Sequence, residues 1–312
     1  MVNDAITRRT LPAGATFSVW TAPDGWAVRR MDWPQKGRAA PRGALLFAGG
    51  RGDFIEKYLE AFAYWHAAGW AVTAFDWRGQ GRSQGDVVRS NLDDFEPWVD
   101  DLEALIAGWR VATPGPHVAV GHSMGGHLLL RTMVERTPAL DAAVLVAPMI
   151  LPNSAPLPAW IAPDAADTMC RLGLRTQPIW KTPTMFNRPG SRRQHFLTGS
   201  RERYEDELFW WGEEPAFNLG APSWGWMRAA FRSAERAFTL QRLAGMETPV
   251  LVLGTDADRL VSPAAIRRVA AQLPDAELHM YADSGHEVLR EVDPVRLDAL
   301  ARIDAFFDRR AR

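Results

Sequence analysis

Short apolar runs alternate with segments of helical spacing along most of this chain, and this alternation limits the fold more than any other feature. Six of the runs have the length and character of buried strands: Gly43–Ala48, Trp70–Phe75, His117–Gly121, Ala142–Ala147, Pro249–Leu253 and Ala276–Tyr281. Strands that alternate with helices pair in parallel, and right-handed crossovers place the helices on both faces of the sheet. The sequence therefore predicts the α/β class, with a mostly parallel central sheet.

One long segment interrupts the alternation, which stops at Pro148 and resumes at Pro249. A loop of that length without secondary structure of its own is uncommon inside a compact domain. We therefore predict an inserted, mainly helical cap at residues 148–247, between a first core part at residues 1–147 and a second at residues 248–312. Six of the 14 tryptophans lie in the predicted cap: Trp160, Trp180, Trp210, Trp211, Trp224 and Trp226.

Charge and composition limit which binding partners and which cellular compartment fit this sequence. The formal net charge is −1, from 36 basic and 37 acidic residues, so the chain lacks the positive excess typical of nucleic-acid binding. The single cysteine, Cys170, excludes an internal disulfide and a cysteine-based zinc site. Residues 1–14 contain charged residues and no apolar core, and no apolar run approaches the roughly 18 residues of a membrane-spanning helix. We expect a cytoplasmic protein.

The pattern G-x-S-x-G, typical of a serine nucleophile on a strained turn, occurs twice, at Gly121–Gly125 and Gly81–Gly85. Such a turn requires a strand immediately before the serine and a helix immediately after it. Ser123 satisfies both conditions, because an apolar strand run precedes it and a helix predicted at Met124–Glu135 follows it. Ser83 lies in a polar, glycine-rich loop. We predict Ser123 as the nucleophile and Ser83 as a loop residue; the alternative for Ser123 is a tight turn without chemistry.

A serine hydroxyl needs a base that takes its proton and an acid that orients the base. Of the seven histidines, only His286 follows a late strand within a turn-rich loop, so His286 is the predicted base. The acid is expected after the strand that ends at Leu253, where Asp256 and Asp258 both qualify. We favour Asp258, because Asp256 lies nearer the strand end and could bond loop amides as a turn residue. Asp283 is close to the histidine in sequence but is more typical of a solvated loop carboxylate.

Acyl transfer also needs two backbone N–H donors for the oxyanion that forms on the substrate carbonyl. One is expected from Met124, the residue after the nucleophile, and the other from the glycine-rich loop Ala48–Asp53 after the first parallel strand. In that loop Gly50 permits a close approach of the backbone to the substrate, and Arg51 is the predicted second donor. The alternative is a glycine-rich turn between a strand and a helix that binds nothing.

Four segments carry a family resemblance, and they include the residues just named. They resemble the oxyanion loop, the D-x-R-G-x-G-x-S loop, the nucleophile turn and the histidine loop of the α/β-hydrolase superfamily: Gly50–Tyr58, Asp76–Ser83, Gly121–Gly126 and Ser284–Leu289. The likeness is to the serine-hydrolase branch that includes bacterial lysophospholipases, monoacylglycerol lipases and serine aminopeptidase-like hydrolases. One departure is that many relatives carry His-Gly where this chain has Gly49-Gly50.

This resemblance implies an α/β-hydrolase fold and a serine carboxylic-ester hydrolase that works through an acyl-enzyme on lysophospholipids or monoacylglycerols. Ser123, Asp258 and His286 would perform this chemistry themselves, so no metal or cofactor is expected. Serine rather than aspartate at position 123 favours esters, thioesters or amides as substrates. The alternatives are a peptidase of the proline iminopeptidase type, an acyltransferase, and a binding protein without turnover. The intact set of three residues disfavours the last of these.

The aromatic residues of the predicted cap are candidates for substrate contact. An insertion at the C-terminal ends of parallel strands roofs the site, so we expect Trp210, Trp211, Trp224 and Trp226 to line an apolar acyl pocket. The alternative is that these rings form the core of the cap itself. A further hypothesis is that Phe209–Trp211 makes transient contact with a lipid surface, because exposed aromatic residues favour the membrane interface.

Overall fold

A single sheet of eight strands organises the protein in the computed structural model, which describes residues 8–36, 41–83, 92–180 and 187–311. In chain order the strands are β1 (Thr16–Thr21), β2 (Ala27–Trp33), β3 (Gly43–Ala48), β4 (Trp70–Phe75), β5 (His117–His122), β6 (Ala142–Val146), β7 (Val250–Thr255) and β8 (Ala276–Tyr281). Their order across the sheet is β1-β2-β4-β3-β5-β6-β7-β8. β2 pairs antiparallel with β1 and with β4, and every later pair is parallel. The prediction of a mostly parallel α/β sheet is confirmed.

Helices cover both faces of this sheet. In chain order they are α1 (Leu59–Ala67), α2 (Glu96–Ala112), α3 (Met124–Arg136), α4 (Ala162–Arg171), α5 (Arg192–Leu197), α6 (Arg201–Glu213), α7 (Trp224–Ala237), α8 (Leu240–Ala244), α9 (Pro263–Ala270) and α10 (Asp293–Arg310). α2, α3, α7 and α9 bury apolar side chains in one core, and α1 and α10 in the other. β3, β5, β6 and β7 are therefore buried along their whole length, which explains their continuous apolar sequences. Within the described ranges, none of these helices is long and apolar enough to cross a membrane.

Residues 148–247, the segment predicted as the cap, contain α4 to α8. Four of these helices have a serine or threonine N-cap, whose side-chain oxygen accepts a backbone N–H of the first turn and stabilises the start of the helix. The four residues are Ser191, Ser200, Ser223 and Thr239. α4 packs along α7, and α7 in turn buries Trp226 and Phe231 in the core shared with α2 and α3. The segment between β6 and β7 is thus mainly helical, as predicted, while its role as a separate cap stays a prediction.

Candidate active site

Ser123 lies on the sharp turn between the last residue of β5 and the first residue of α3. Its backbone has φ 53° and ψ −116°, a conformation that costs a non-glycine residue on the order of 1–3 kcal/mol. Hydrogen bonds hold the turn on both sides: the Ser123 N–H donates to Val146 O at 2.9 Å, and the Ser123 carbonyl accepts the Met149 N–H at 2.9 Å. The surrounding backbone therefore keeps the hydroxyl at the C-terminal edge of the sheet in a strained turn.

Close packing of this turn against β3 requires a glycine at position 125. A methyl group on Gly125 would lie 2.1 Å from Ala48 O and 2.4 Å from Gly49 O, and backbone atoms at such distances must move apart. We therefore expect Gly125→Ala to lower the free energy of unfolding by about 2–4 kcal/mol, as overpacked sites do. Chemical denaturation measures this change.

The matched control for that variant is Gly108→Ala. Gly108 lies on the exposed face of α2, and an added methyl group there would have no neighbour within 4 Å. Because alanine is the better helix former, this control should raise the free energy of unfolding by up to about 1 kcal/mol. If Gly125→Ala were as stable as Gly108→Ala, the close approach of the nucleophile turn to β3 would not be what demands glycine.

Three polar side chains converge on the nucleophile turn in a single hydrogen-bonded chain. Ser123 Oγ lies 2.8 Å from His286 Nε2, and His286 Nδ1 lies 2.7 Å from Asp258 Oδ2. Because an ionised carboxylate only accepts, Nδ1 carries the hydrogen and Nε2 is the acceptor for the Ser123 hydroxyl. The three residues come from the loops after β5, β7 and β8. The structure thus brings together the three residues that the sequence analysis selected.

Burial and charge together set the protonation of this chain of residues. Burial disfavours the charged form of His286, but the Asp258 carboxylate outweighs that effect and raises the pKa of His286 above its ordinary 6.5. For Asp258, burial favours the neutral acid, but the imidazole and the backbone N–H groups of Val261 and Leu260 outweigh it, so its pKa lies below 3.8. At neutral pH Asp258 is therefore ionised and stabilises a positive charge on the imidazole.

The two aspartates of the loop after β7 have roles that differ from those expected from the sequence. Asp258 Oδ1 accepts the backbone N–H groups of Leu260 and Val261 at 2.8 and 3.0 Å, while Oδ2 faces the imidazole. Asp256 instead pairs with Arg267 at the surface, at 2.7 Å. The aspartate that bonds the loop amides is Asp258, so the reason given for preferring it over Asp256 was wrong, although Asp258 is the residue that the imidazole contacts.

The loop that carries His286 is held by the segment predicted as the cap. The N–H groups of His286 and Glu287 donate to the carbonyls of Phe196 and Leu197, at 3.0 and 2.8 Å. A methyl group on Gly285 would lie 2.5 Å from the Leu197 carbonyl oxygen, so the two backbones approach too closely for any side chain there. The imidazole is therefore fixed relative to the end of α5.

The loop after β3 crosses directly over the nucleophile turn. A methyl group on Gly50 would lie 3.0 Å from Ser123 Cβ, which explains the glycine at this position. The Gly50 N–H donates to Asp53 Oδ2 at 2.5 Å, and the Asp53 N–H donates back to Gly50 O at 3.3 Å. Arg51, the predicted oxyanion donor, lies within this tightly held turn. The loop and Met124 at the start of α3 therefore flank Ser123, as the sequence analysis expected of the two donor segments.

Gln80 supports the same loop and was missed by the sequence analysis. Its side chain is completely buried; Oε1 accepts the Gly52 N–H at 2.6 Å, and Nε2 lies 3.9 Å from Met124 Sδ. Gln80 therefore contacts both segments that carry the predicted oxyanion donors. Its position in the D-x-R-G-x-G-x-S loop was the available signal, but that pattern does not say where the glutamine side chain reaches.

A buried ionic cluster beside the loop was also absent from the sequence-based prediction. Lys57 Nζ lies 2.7 Å from Asp53, 2.6 Å from Glu287 and 3.4 Å from Glu207, and all four side chains are buried. Burial favours the neutral form of Asp53, but the Lys57 ammonium group outweighs it and keeps the pKa of Asp53 well below 3.8. Because Asp53 also accepts the Gly50 N–H, the cluster links the loop to α6, which carries Glu207. The i, i+4 spacing of Asp53 and Lys57 is its one local signal.

Ser83, the serine of the other G-x-S-x-G match, has a structural role. It is buried, and its Oγ accepts the Arg29 N–H at 2.7 Å and donates to Asp76 O at 2.7 Å. These two bonds attach the loop after β4 to β2. Its hydroxyl is therefore engaged in holding the backbone, in agreement with the prediction that Ser83 is a loop residue.

Two of the predicted substrate-contact tryptophans lie at the start of α7. Trp226 is buried in the core, and its ring lies under the Arg51 guanidinium at 5.3 Å. Trp224 is half-buried against the same core, and its backbone N–H donates to Gln177 O at 3.1 Å. Trp226 is thus placed beside the loop after β3. Its contact with substrate, and that of Trp224, stay predictions.

The other two, Trp210 and Trp211, lie near the end of α6 and are half-buried. Trp210 Nε1 donates to Arg8 O at 3.0 Å, and the ring packs against the core that contains α1 and α10. Trp211 lies under the Arg193 guanidinium, 4.7 Å from the ring centroid. These contacts attach the rings to the N-terminal segment and to the cap region. Contact of Trp210 and Trp211 with substrate or with a lipid surface stays a prediction.

The order of these elements defines the class of protein. A serine on a strand-to-helix turn, followed in the chain by an aspartate and a histidine on loops after later parallel strands, is the arrangement of an α/β hydrolase. The chain belongs to the family described as serine aminopeptidase S33, whose family model matches residues 39–293.

The chain is also similar in sequence and in structure to proteins with named activities. Lysophospholipase L2 of Escherichia coli is 29% identical over 288 residues, which cover 85% of this chain and 80% of the relative. The monoacylglycerol lipase of Mycolicibacterium smegmatis is 27% identical over 256 residues, 80% of this chain and 83% of the relative. The solved structure of a soluble variant of the Saccharomyces cerevisiae monoglyceride lipase has the same fold, with a TM-score of 0.74 at 17% identity over 97% of this chain and 98% of that one. The chain is an enzyme of the α/β-hydrolase class.

Proposed function

We propose that this protein hydrolyses carboxylic esters through an acyl-enzyme formed on Ser123. The observation that carries the proposal is the continuous hydrogen-bonded chain from Ser123 through His286 to Asp258, with links of 2.8 and 2.7 Å. A serine hydroxyl attacks a carbonyl efficiently only when a base takes its proton and a third group fixes the tautomer of that base. The three side chains meet both requirements.

The proposed reaction has two halves. In the first, Ser123 Oγ attacks the ester carbonyl while His286 Nε2 takes the hydroxyl proton, and Asp258 stabilises the imidazolium that results. His286 then donates this proton to the oxygen of the leaving alcohol, and the acyl group remains on Ser123. In the second half, water attacks the acyl carbonyl while His286 Nε2 takes a proton from it. The bond between the acyl carbon and Ser123 Oγ then breaks, His286 returns the proton to Ser123 Oγ, and the carboxylic acid departs.

The negative oxygen that develops in each half would be bound by the backbone N–H groups of Met124 and Arg51. Met124 is the first residue of α3, so its N–H lies at the positive end of the helix dipole. Arg51 lies between Gly50 and Gly52, whose amides are fixed by Asp53 and Gln80. Donors held in place before the reaction stabilise the oxyanion without a reorganisation cost, and this bracing supports the assignment.

Residues 148–247 would act as a cap on this site. The end of α5 bonds to the His286 loop, and the carbonyls of Gly220 and Ala221 bond to the Arg51 side chain. The same segment therefore contacts the loop of the base and the loop of the oxyanion donor. Ser123 itself keeps partial exposure, as access to substrate requires.

The proposed substrates are lysophospholipids or monoacylglycerols. Both are esters of a single acyl chain with a polar glycerol unit, and the names of the Escherichia coli and Mycolicibacterium smegmatis relatives support this class. An acyl pocket between the cap and the core, which such substrates require, is part of the proposal.

A substrate panel tests this proposal. For p-nitrophenyl esters from acetate to palmitate we expect kcat/KM to rise towards medium or long chains, because each buried methylene contributes up to about 0.8 kcal/mol, or roughly fourfold. A monoacylglycerol and a lysophosphatidylethanolamine with the preferred acyl chain should then be hydrolysed faster than the matching diacyl lipids. Titration of the released fatty acid measures each rate, with Ser123→Ala as the background.

Three outcomes of the panel would contradict the proposal. Activity restricted to acetate would indicate a small pocket and a short-chain esterase. Release of an N-terminal proline from peptides, without ester preference, would indicate a peptidase. Preferential transfer of the acyl group to an added alcohol, rather than to water, would indicate an acyltransferase.

A further inference from the structure

The side chain of Arg51 reaches out of the oxyanion loop and bonds to the cap. Nη1 donates to Gly220 O at 2.8 Å, and Nη2 donates to Ala221 O at 3.2 Å. The guanidinium carbon lies 5.3 Å from the centroid of the Trp226 ring, a cation–π distance. Gly220 has φ 75°, so the turn that presents the two carbonyls depends on a glycine. One side chain thus joins the loop after β3 to two consecutive carbonyls and one ring of the cap.

The backbone N–H of the same residue is the proposed second oxyanion donor. The N–H groups of its neighbours Gly50 and Gly52 donate to Asp53 Oδ2 and Gln80 Oε1, at 2.5 and 2.6 Å, and both acceptors belong to the core part of the chain. The cap carbonyls hold Arg51 itself through its side chain. The loop is therefore braced by the core at two residues and by the cap at the residue between them.

We propose that the Arg51 side chain is a positioning group that couples the seating of the cap to the oxyanion hole. While the Gly220–Ala221 turn is in place, its two carbonyls fix the guanidinium and thereby the orientation of the Arg51 N–H towards the reacting carbonyl. When the turn moves away for substrate access or product release, this restraint on the donor is lost. The inference rests on the proposed acyl-enzyme function, because the donor acts only in that reaction.

Other contacts between this part of the cap and the core do not involve the oxyanion donor. Phe217 stacks on Phe54 at 4.2 Å, and Arg82 reaches Glu214 at 3.3 Å and lies 5.7 Å from the Phe217 ring centroid. These contacts keep the cap seated when Arg51 is changed. Arg82 is therefore a matched control. Like Arg51, it lies outside the cap segment and its side chain bonds to the cap, but its backbone is not part of the oxyanion loop.

The test compares Arg51→Met with Arg82→Met. Methionine keeps an unbranched side chain near the Trp226 ring and removes both donors. Loss of a whole oxyanion donor lowers kcat by about 10²–10³, and here the donor is misplaced rather than removed. We therefore expect Arg51→Met to lower kcat for a p-nitrophenyl ester by roughly 10- to 100-fold, with KM within about threefold. Arg82→Met loses only a surface contact, so its kcat should stay within about twofold of the wild-type value.

A second readout reports on the oxyanion hole directly. A trifluoromethyl ketone forms a hemiketal with Ser123, and the oxygen of that adduct occupies the position of the oxyanion. Its affinity should fall in Arg51→Met by about the same factor as kcat/KM, because both measure binding at the transition state relative to the free enzyme. Arg51→Lys keeps the charge but lacks the planar fork that reaches two carbonyls, so its losses should lie between wild type and Arg51→Met.

If Arg51→Met kept the kcat and the ketone affinity of the wild type, the coupling would be overturned. Equal losses of kcat and ketone affinity in Arg82→Met would also overturn it, because they would point to cap seating in general. A change in KM alone would make the guanidinium a substrate-binding group and would also contradict it. If Arg51→Met does not fold, Arg51→Lys carries the same comparison. Ser123→Ala separates the two proposals: activity that persists in it defeats the proposed function, whereas an inactive Ser123→Ala beside an unaffected Arg51 variant defeats the coupling only.

Discussion

The Ser123→Ala enzyme is expected to fold normally and to lose nearly all activity, with kcat lower by roughly 10⁴- to 10⁶-fold. The hydroxyl forms the acyl-enzyme in the proposed mechanism, and alanine offers no atom that can replace it. The fold should survive because the backbone of residue 123 holds the turn, through bonds to Val146 and Met149 that alanine retains. Steady-state hydrolysis of p-nitrophenyl esters measures the loss, and thermal unfolding verifies the fold.

Ser83→Ala is the matched control, because it removes the hydroxyl of the other G-x-S-x-G serine. It should leave kcat close to wild type but lower the free energy of unfolding by about 1–3 kcal/mol, since a buried N–H and a buried carbonyl lose their partner. Those groups are the Arg29 N–H and the Asp76 carbonyl. Comparable losses of kcat in both variants would refute the assignment of the nucleophile turn to Ser123.

The sheet and the nucleophile turn were predictable because their sequence signals are local. β4 and β8 have the predicted bounds, Trp70–Phe75 and Ala276–Tyr281, since strands covered on both faces or ended by turn residues stand out in a few neighbouring positions. The choice of Ser123 over Ser83 needed only the strand before it and the helix after it. Features of this kind lie within a dozen residues of one another along the chain.

The helical spacing of the apolar residues in Phe54–Ala68 predicts one continuous helix, and the start of this segment shows where local periodicity fails. The structure begins it with a 3-10 segment, Ile55–Tyr58, and the α-helix starts only at Leu59. Within that first turn Lys57 and Tyr58 both bind Asp53, and Lys57 also lies close to the carboxylates of Glu207 on α6 and Glu287 in the His286 loop. Periodicity reports which face of a helix is apolar; it does not report which remote charges the first turn must satisfy.

The remaining errors and omissions have the same non-local origin. Asp256 and Asp258 are two residues apart, and only the path of the loop decides which carboxylate meets an imidazole 28 residues later. Gln80 contacts Gly52 across 28 residues and Met124 across 44. The two pairs of cap tryptophans illustrate the same limit, because their surroundings depend on how α6 and α7 pack against the core.

Asp258→Asn is expected to lower kcat by roughly 10³- to 10⁴-fold while the loop keeps its shape. Asp258 Oδ1 accepts the N–H groups of Leu260 and Val261, and only the oxygen of an asparagine can take over those bonds. The amide NH₂ would then face His286 Nδ1 as a donor. An imidazole that accepts at Nδ1 carries its hydrogen on Nε2 and cannot take the proton of Ser123.

The same substitution should move the acidic limb of the pH profile. Only the neutral imidazole is a base, so wild-type kcat/KM should rise as the pH passes the pKa of His286, which is raised above 6.5. Burial lowers this pKa and the Asp258 carboxylate raises it. Without the carboxylate the burial effect remains, so the limb of the residual activity should shift to lower pH. Measurement of kcat/KM across the range in which imidazole titrates shows both the loss and the shift.

Asp256→Asn is the matched control, because Asp256 lies in the same loop and its carboxylate pairs with Arg267 at the surface. An exposed pair of this kind contributes at most about 1 kcal/mol to stability, so kcat and the pH profile should match the wild type. A large loss in Asp256→Asn with little change in Asp258→Asn would transfer the role of the acid to Asp256. A loss in Asp258→Asn without a shift of the acidic limb would mean that the carboxylate orients His286 but does not set its charge.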